Sequence, residues 1–149
     1  MKINIEDYVF DTPEATQKIN VKIDAWDTWS MDHTLAHIIV PMLKQLKETK
    51  HGAPNVDDED VPIELRSTEK EQFVDDKKFF ARWNWVLDEM TWAFEQKTLL
   101  FRWEEEYYDG PEPLDNSERI FDSEGCKAHQ ERMTNGFKLF GKFYEYLWD

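Results

Sequence analysis

Hydrophobic and polar positions alternate at first with a period of two. Ile3 and Ile5 have polar neighbours; after the turn-like Asp11-Thr12-Pro13-Glu14, Ile19, Val21 and Ile23 fall on one side while Lys18, Asn20, Lys22 and Asp24 fall on the other. This pattern predicts a β-hairpin over 1–25 with one apolar face, which must lie on other structure. The spacing then changes to three and four. Met31, Leu35, Ile38, Ile39, Met42 and Leu46 form a single stripe at about 100° per residue. A helix is expected over 30–51, capped by Asp27 or Ser30, kinked at Pro41 and stopped by Gly52.

Gly52, Pro54, Pro62 and the acidic run Asp57-Asp58-Glu59-Asp60 mark 52–75 as a connector. A second helix is expected over 76–107, with Phe80, Trp83, Val86, Leu87, Met90, Ala93, Phe94 and Phe101 on its core face. Asp109-Gly110-Pro111-Glu112-Pro113 breaks the pattern and opens a second connector over 108–122. A third helix over 123–148 carries Cys126, His129, Met133, Phe137, Phe140, Tyr144 and Leu147, with Gly136 and Gly141 as points of close helix approach. The predicted fold is mainly α (α+β): one domain over 1–149, three long helices packed as a bundle, and the N-terminal β-hairpin covering one side.

Composition narrows the partners. Acidic residues outnumber basic ones by 32 to 18, and the net charge of −14 repels nucleic acid and anionic lipid. A protein partner, itself basic, is the expectation, without direct nucleic-acid binding. Nucleic-acid mimicry, in which carboxylates imitate phosphates, is a variant of that idea. No apolar run approaches the roughly 18 residues of a membrane helix, and MKINIEDYVF lacks a secretory pattern, so an intracellular location is expected. The single cysteine, Cys126, excludes an intramolecular disulfide. No phosphate-binding glycine loop, nucleophile elbow or dinucleotide fingerprint is present, and nucleophilic catalysis has no visible centre.

Two constellations remain. Trp85, Trp92, Leu99 and Trp103 lie on the back of the second helix beside Asp88, Glu89 and Gln96, and Trp29 and His33 lie on a second face of the first. Trp29, His33, Trp85, Asp88, Glu89 and Trp92 are therefore the candidate binding residues, since a carboxylate desolvated by indoles tends toward its neutral acid. The plainer alternative packs the indoles under the hairpin, with the carboxylates in water. His33 and His37 stand four apart and can share a divalent metal; Cys126 and His129 could complete a mixed site. Packing of the cysteine and backbone bonding of the histidines is the structural alternative. The acidic run lacks the glycine and glutamate spacing of an EF-hand. Apolar residues on two sides of one helix also allow a homodimer.

The stretches Trp26-Asp27-Thr28-Trp29-Ser30-Met31-Asp32-His33-Thr34-Leu35, Val56-Asp57-Asp58-Glu59-Asp60-Val61-Pro62, Trp85-Val86-Leu87-Asp88-Glu89-Met90 and Glu131-Arg132-Met133-Thr134-Asn135-Gly136-Phe137 carry a resemblance. Over residues 19–149 the chain resembles an uncharacterised family encoded by large tailed phages, including marine cyanophages. The resemblance implies a viral protein in the cytoplasm of a bacterial host, or packaged in the virion, and brings no activity, cofactor or catalytic residue. The expectation is a non-enzymatic phage accessory or interaction protein working through an acidic and aromatic surface. The alternative is a metal-dependent enzyme whose ligands come from Asp32, His33, His37, Asp88, Glu89, Cys126, His129 and Glu131.

Overall fold

The computed structural model describes residues 1–7, 9, 16–67, 76–100, 102–110 and 119–148. Three long helices dominate: α1 (Met31–Thr49), α2 (Phe79–Thr98) and α3 (Ser123–Lys142). A two-stranded antiparallel sheet, β1 (Lys2–Ile5) and β2 (Ile19–Lys22), precedes them. The expected fold class is thus present. The turn residues Asp11 to Glu14 lie outside the described residues.

α2 is the middle helix, with α1 and α3 each packed along it and barely touching each other. Trp83, Val86, Leu87 and Met90 of α2 are completely or almost completely buried, as is Met133 of α3. Each such side chain contributes roughly 1.5–3 kcal/mol by leaving water. The contact between α2 and α3 is closest at Gly136, where a side-chain carbon would stand 2.5 Å from the Ala93 Cβ and 2.6 Å from the Glu89 carbonyl oxygen. Gly141 faces open space, so close approach explains only the first of the two glycines.

Several expectations change. The buried residues of α1 are Ala36 and Leu43, while Met31, Leu35 and Met42 of the expected stripe are exposed. The helix is turned about a quarter revolution from the face that its large side chains suggest. Ser30 occupies the cap position of α1 but its side chain makes no capping bond. Asp27 belongs to the preceding 3₁₀ turn, Ala25–Thr28, where it and Asp24 form a capping box.

The second helix does not extend over 76–107. It stops at Thr98; Leu100 has a left-handed backbone, φ 54°, and a separate 3₁₀ segment covers Arg102–Tyr107. α3 likewise ends at Lys142, with a short turn at Tyr144–Tyr146. The second connector is partly structured. Asp109 N–H donates to the Ile120 carbonyl at 3.0 Å, and Asp122 N–H donates to that of Tyr107 at 2.8 Å. Asp122 then caps α3 by accepting from Gly125 N–H at 2.9 Å.

The hairpin was expected to cover the bundle and does not. The register pairs Ile3 with Val21 and Ile5 with Ile19, placing all four on one face, yet Ile5, Ile19 and Val21 remain about half exposed. The first connector does the covering instead. Its Val56 and Val61 are buried against Leu43, Trp83, Leu139 and Phe143. Its acidic run is a clasp: Lys142 of α3 donates to Asp57 at 2.9 Å and to Asp60 at 2.6 Å, and Asp58 accepts from the Ser67 N–H at 2.8 Å. Among the described residues no helix is long and apolar enough to cross a membrane.

Candidate functional site

Because α1 and α3 flank α2 without closing on each other, a groove remains between them. Its volume is about 1110 Å³, and its walls are Ile39, Met42 and Leu46 of α1 with Phe140, Tyr144 and Leu147 from α3 and the residues after it. Gln45 and Thr49 are the polar residues of the lining. The lips are open: Met42 is 61% and Tyr144 66% exposed. Sequence periodicity placed these side chains in the core. Ile39, Leu46, Phe140 and Leu147 do pack against the core cluster and form the floor, whereas Met42 and Tyr144 stand exposed at the lips.

A second apolar feature lies before α1. Trp26 and Trp29 have ring centroids 5.9 Å apart and exposures of 76% and 82%, so a pair of indoles stands in solvent. Single exposed apolar residues are ordinary, but two adjacent indoles leave several hundred square ångströms of aromatic surface wet, the size that marks contact sites.

The six candidate binding residues do not line one pocket. Trp29 is in the indole pair. His33 is half-buried, its Nδ1 2.9 Å from the Lys97 carbonyl oxygen. Trp85 packs on the core cluster from its edge. Asp88 is exposed and accepts from Lys47 Nζ at 2.5 Å, sharing with Trp92, Lys44 and Glu95 a shallow cleft of about 440 Å³. Glu89 is buried but not isolated: Arg132 donates to it through two nitrogens, at 2.7 and 3.0 Å, and stacks its guanidinium 3.9 Å from the Trp92 ring centroid. A buried carboxylate bonded bidentately is a structural solution to burial, and the Glu89 hydrogen bonds in turn raise the Arg132 pKa further. Arg132 was the residue sequence reasoning missed; nothing local marks an arginine on a helix as the partner of a residue 43 positions earlier.

The four candidate metal ligands do not come together. His129 sits in an aromatic stack, its ring 4.5 Å from Trp103 and 4.8 Å from Trp92, and its Nδ1 is 2.8 Å from the Tyr107 hydroxyl. Burial holds the His129 imidazole below its ordinary pKa, with nearby Glu106 opposing and Arg132 adding to the effect. Burial also raises the Tyr107 hydroxyl, helped by Glu106. Tyr107 therefore keeps its proton and shares a hydrogen bond with Nδ1, while Nε2 is an enclosed atom with no protein partner among the described residues. Such a histidine is a packing element, and Cys126 lines a different, shallow cleft on the outer side of α3. Among the described residues no three His, Cys, Asp or Glu side chains converge as a metal-ligand set.

His33 and His37 do meet. Their Nε2 atoms are 3.3 Å apart and their rings perpendicular. Asp32, beside them, is paired with Lys97 Nζ at 3.1 Å, a hydrogen bond that together with backbone donors lowers its pKa. No protein-family model matches this chain, and neither a curated protein nor a solved structure matches it.

Proposed function

We propose that this protein is a non-enzymatic interaction module that seats an amphipathic helix of a basic partner protein in the groove between α1 and α3. The groove carries the reading. Its walls are almost wholly apolar, it is open along its length, and it lies between two helix faces, the arrangement that accepts anchors at i, i+3, i+4 and i+7 of a bound helix. The net charge of −14 supplies long-range attraction for basic residues flanking such a helix. In the setting that the sequence resemblance implies, the partner is a host or phage protein met in the bacterial cytoplasm, and the protein is a phage accessory factor. The indole pair Trp26 and Trp29 is a separate contact point on the same molecule.

The test is direct. A partner captured from infected-host lysate is purified, and its affinity is measured for the parent protein and for Met42→Asp and Tyr144→Asp, both at exposed lips where folding tolerates charge. Affinity should fall roughly tenfold or more in each, as expected for loss of a buried anchor, with melting temperatures unchanged. Undiminished binding by both variants, or partner loss only in Trp26→Ser and Trp29→Ser, rejects the groove. Sedimentation of the free protein distinguishes a second copy in the groove, which would give a dimer sensitive to the same two substitutions.

A further inference from the structure

The histidine pair on α1 points to a chemistry independent of the groove. Two imidazole nitrogens bound to one tetrahedral ion, at about 2.0–2.1 Å each, stand about 3.3 Å from one another. The Nε2 atoms of His33 and His37 are 3.3 Å apart and share a hydrogen bond, which an ion would replace once the His37 proton moves to its Nδ1. The partner of the other nitrogen matters as much. His33 Nδ1 lies 2.9 Å from the Lys97 carbonyl oxygen, which can only accept, so the proton of neutral His33 is on Nδ1 and Nε2 presents its lone pair. A metal-bound histidine is oriented in this same way, by donating its second N–H to a backbone carbonyl.

The surroundings suit a cation. Lys97 Nζ is paired with Asp32 at 3.1 Å, and the whole molecule attracts divalent cations through its charge of −14. The α1 scaffold spaces the two rings without any loop having to order, because residues four apart lie on one helix face. Calcium and magnesium prefer oxygen ligands and are poor candidates; imidazole selects late first-row ions.

We infer that His33 and His37 form a two-imidazole site for a divalent late first-row transition-metal ion, copper(II), nickel(II) or zinc(II), with its remaining coordination positions open to water or to a ligand from another molecule. The site is half of a structural zinc site, so the bound ion keeps exchangeable positions. Copper(II) should bind most tightly of the three, following the order of intrinsic affinity.

The experiment is calorimetric titration of the full chain with copper(II), zinc(II) and magnesium(II) salts, repeated for His37→Gln and His33→Gln. His37 is exposed, so the first variant leaves the fold intact, and circular dichroism verifies both. One equivalent of copper(II) should bind with micromolar affinity and zinc(II) more weakly, with roughly tenfold or greater loss in either variant. Substoichiometric copper(II) should broaden the imidazole proton signals of His33 and His37 before those of His129. No copper(II) binding by the parent, or binding of equal strength in both variants or by magnesium(II), overturns the assignment, because carboxylates would then be holding the ion.

Discussion

Gly136 shows how much one missing side chain decides. A Cβ at this position would press on the Ala93 Cβ and on the Glu89 backbone carbonyl, and a backbone atom inside a helix cannot move aside cheaply. Gly136→Ala should destabilise the protein by roughly 1–3 kcal/mol through overpacking, seen in urea denaturation as a lower midpoint at constant slope, although alanine is the better helix former. The residue pattern alone announced this close approach at Gly136, and equally at Gly141, where the space is open. At His129 the residue pattern offered a metal ligand, whereas the structure places the ring between Trp103 and Trp92. The two indoles come from different elements, and no spacing in the chain foretells that a stack will form between them.

At the scale of elements, the end of α2 is the informative place. Helical periodicity continues past Thr98, yet the helix stops there because Leu100 takes a left-handed backbone, φ 54°, usually left to glycine. Its side chain is 41% exposed, so removing it also costs packing, a loss that alanine and glycine share. Leu100→Gly should therefore be more stable than Leu100→Ala by about 0.5–1 kcal/mol through relief of backbone strain, checked by the difference in thermal midpoint. No breaker residue marks this stop, which is why one helix over 76–107 was expected. Conversely, composition marks the first connector only as a loop, although Val56 and Val61 are buried and Lys142 is gripped by Asp57 and Asp60. Two valines among acids leave no periodic signal; only their tertiary neighbours make them core.

For the whole molecule, proton linkage ties these local environments to stability. His129 is half-buried and its pKa depressed below the reference 6.5, so an unfolded chain binds its proton at higher pH than the folded one. Stability is full above about pH 6.5 and falls as pH drops from there toward the folded value. Asp76, bonded to Arg82, and Asp58, bonded to the Ser67 backbone, have pKa values lowered from 3.8; their contribution is present above that value and disappears as pH falls through the lower folded ones. Denaturant melts between pH 8 and pH 3 should thus show two descending stages. The upper stage should be absent in His129→Phe, whatever that variant's absolute stability, and the lower one reduced in Asp76→Asn. A flat profile from pH 7 to pH 5 in the parent would contradict the enclosed, neutral His129.

The chain by itself determined its helical class, the approximate place of each helix, the hairpin strands and the acidic balance, because periodicity and net charge are local or additive properties. It also determined that His33 and His37 would be neighbours, since one turn of helix fixes that distance. What the tertiary structure decided is which apolar residues are inside. Several stripes compete for one core, and small residues such as Gly136 and Ala93 mark where helix faces come together, while Met42 and Tyr144 are left on an open groove and Trp26 and Trp29 in water. Burial is a property of the assembled whole, so it was not readable from the spacing of any one segment.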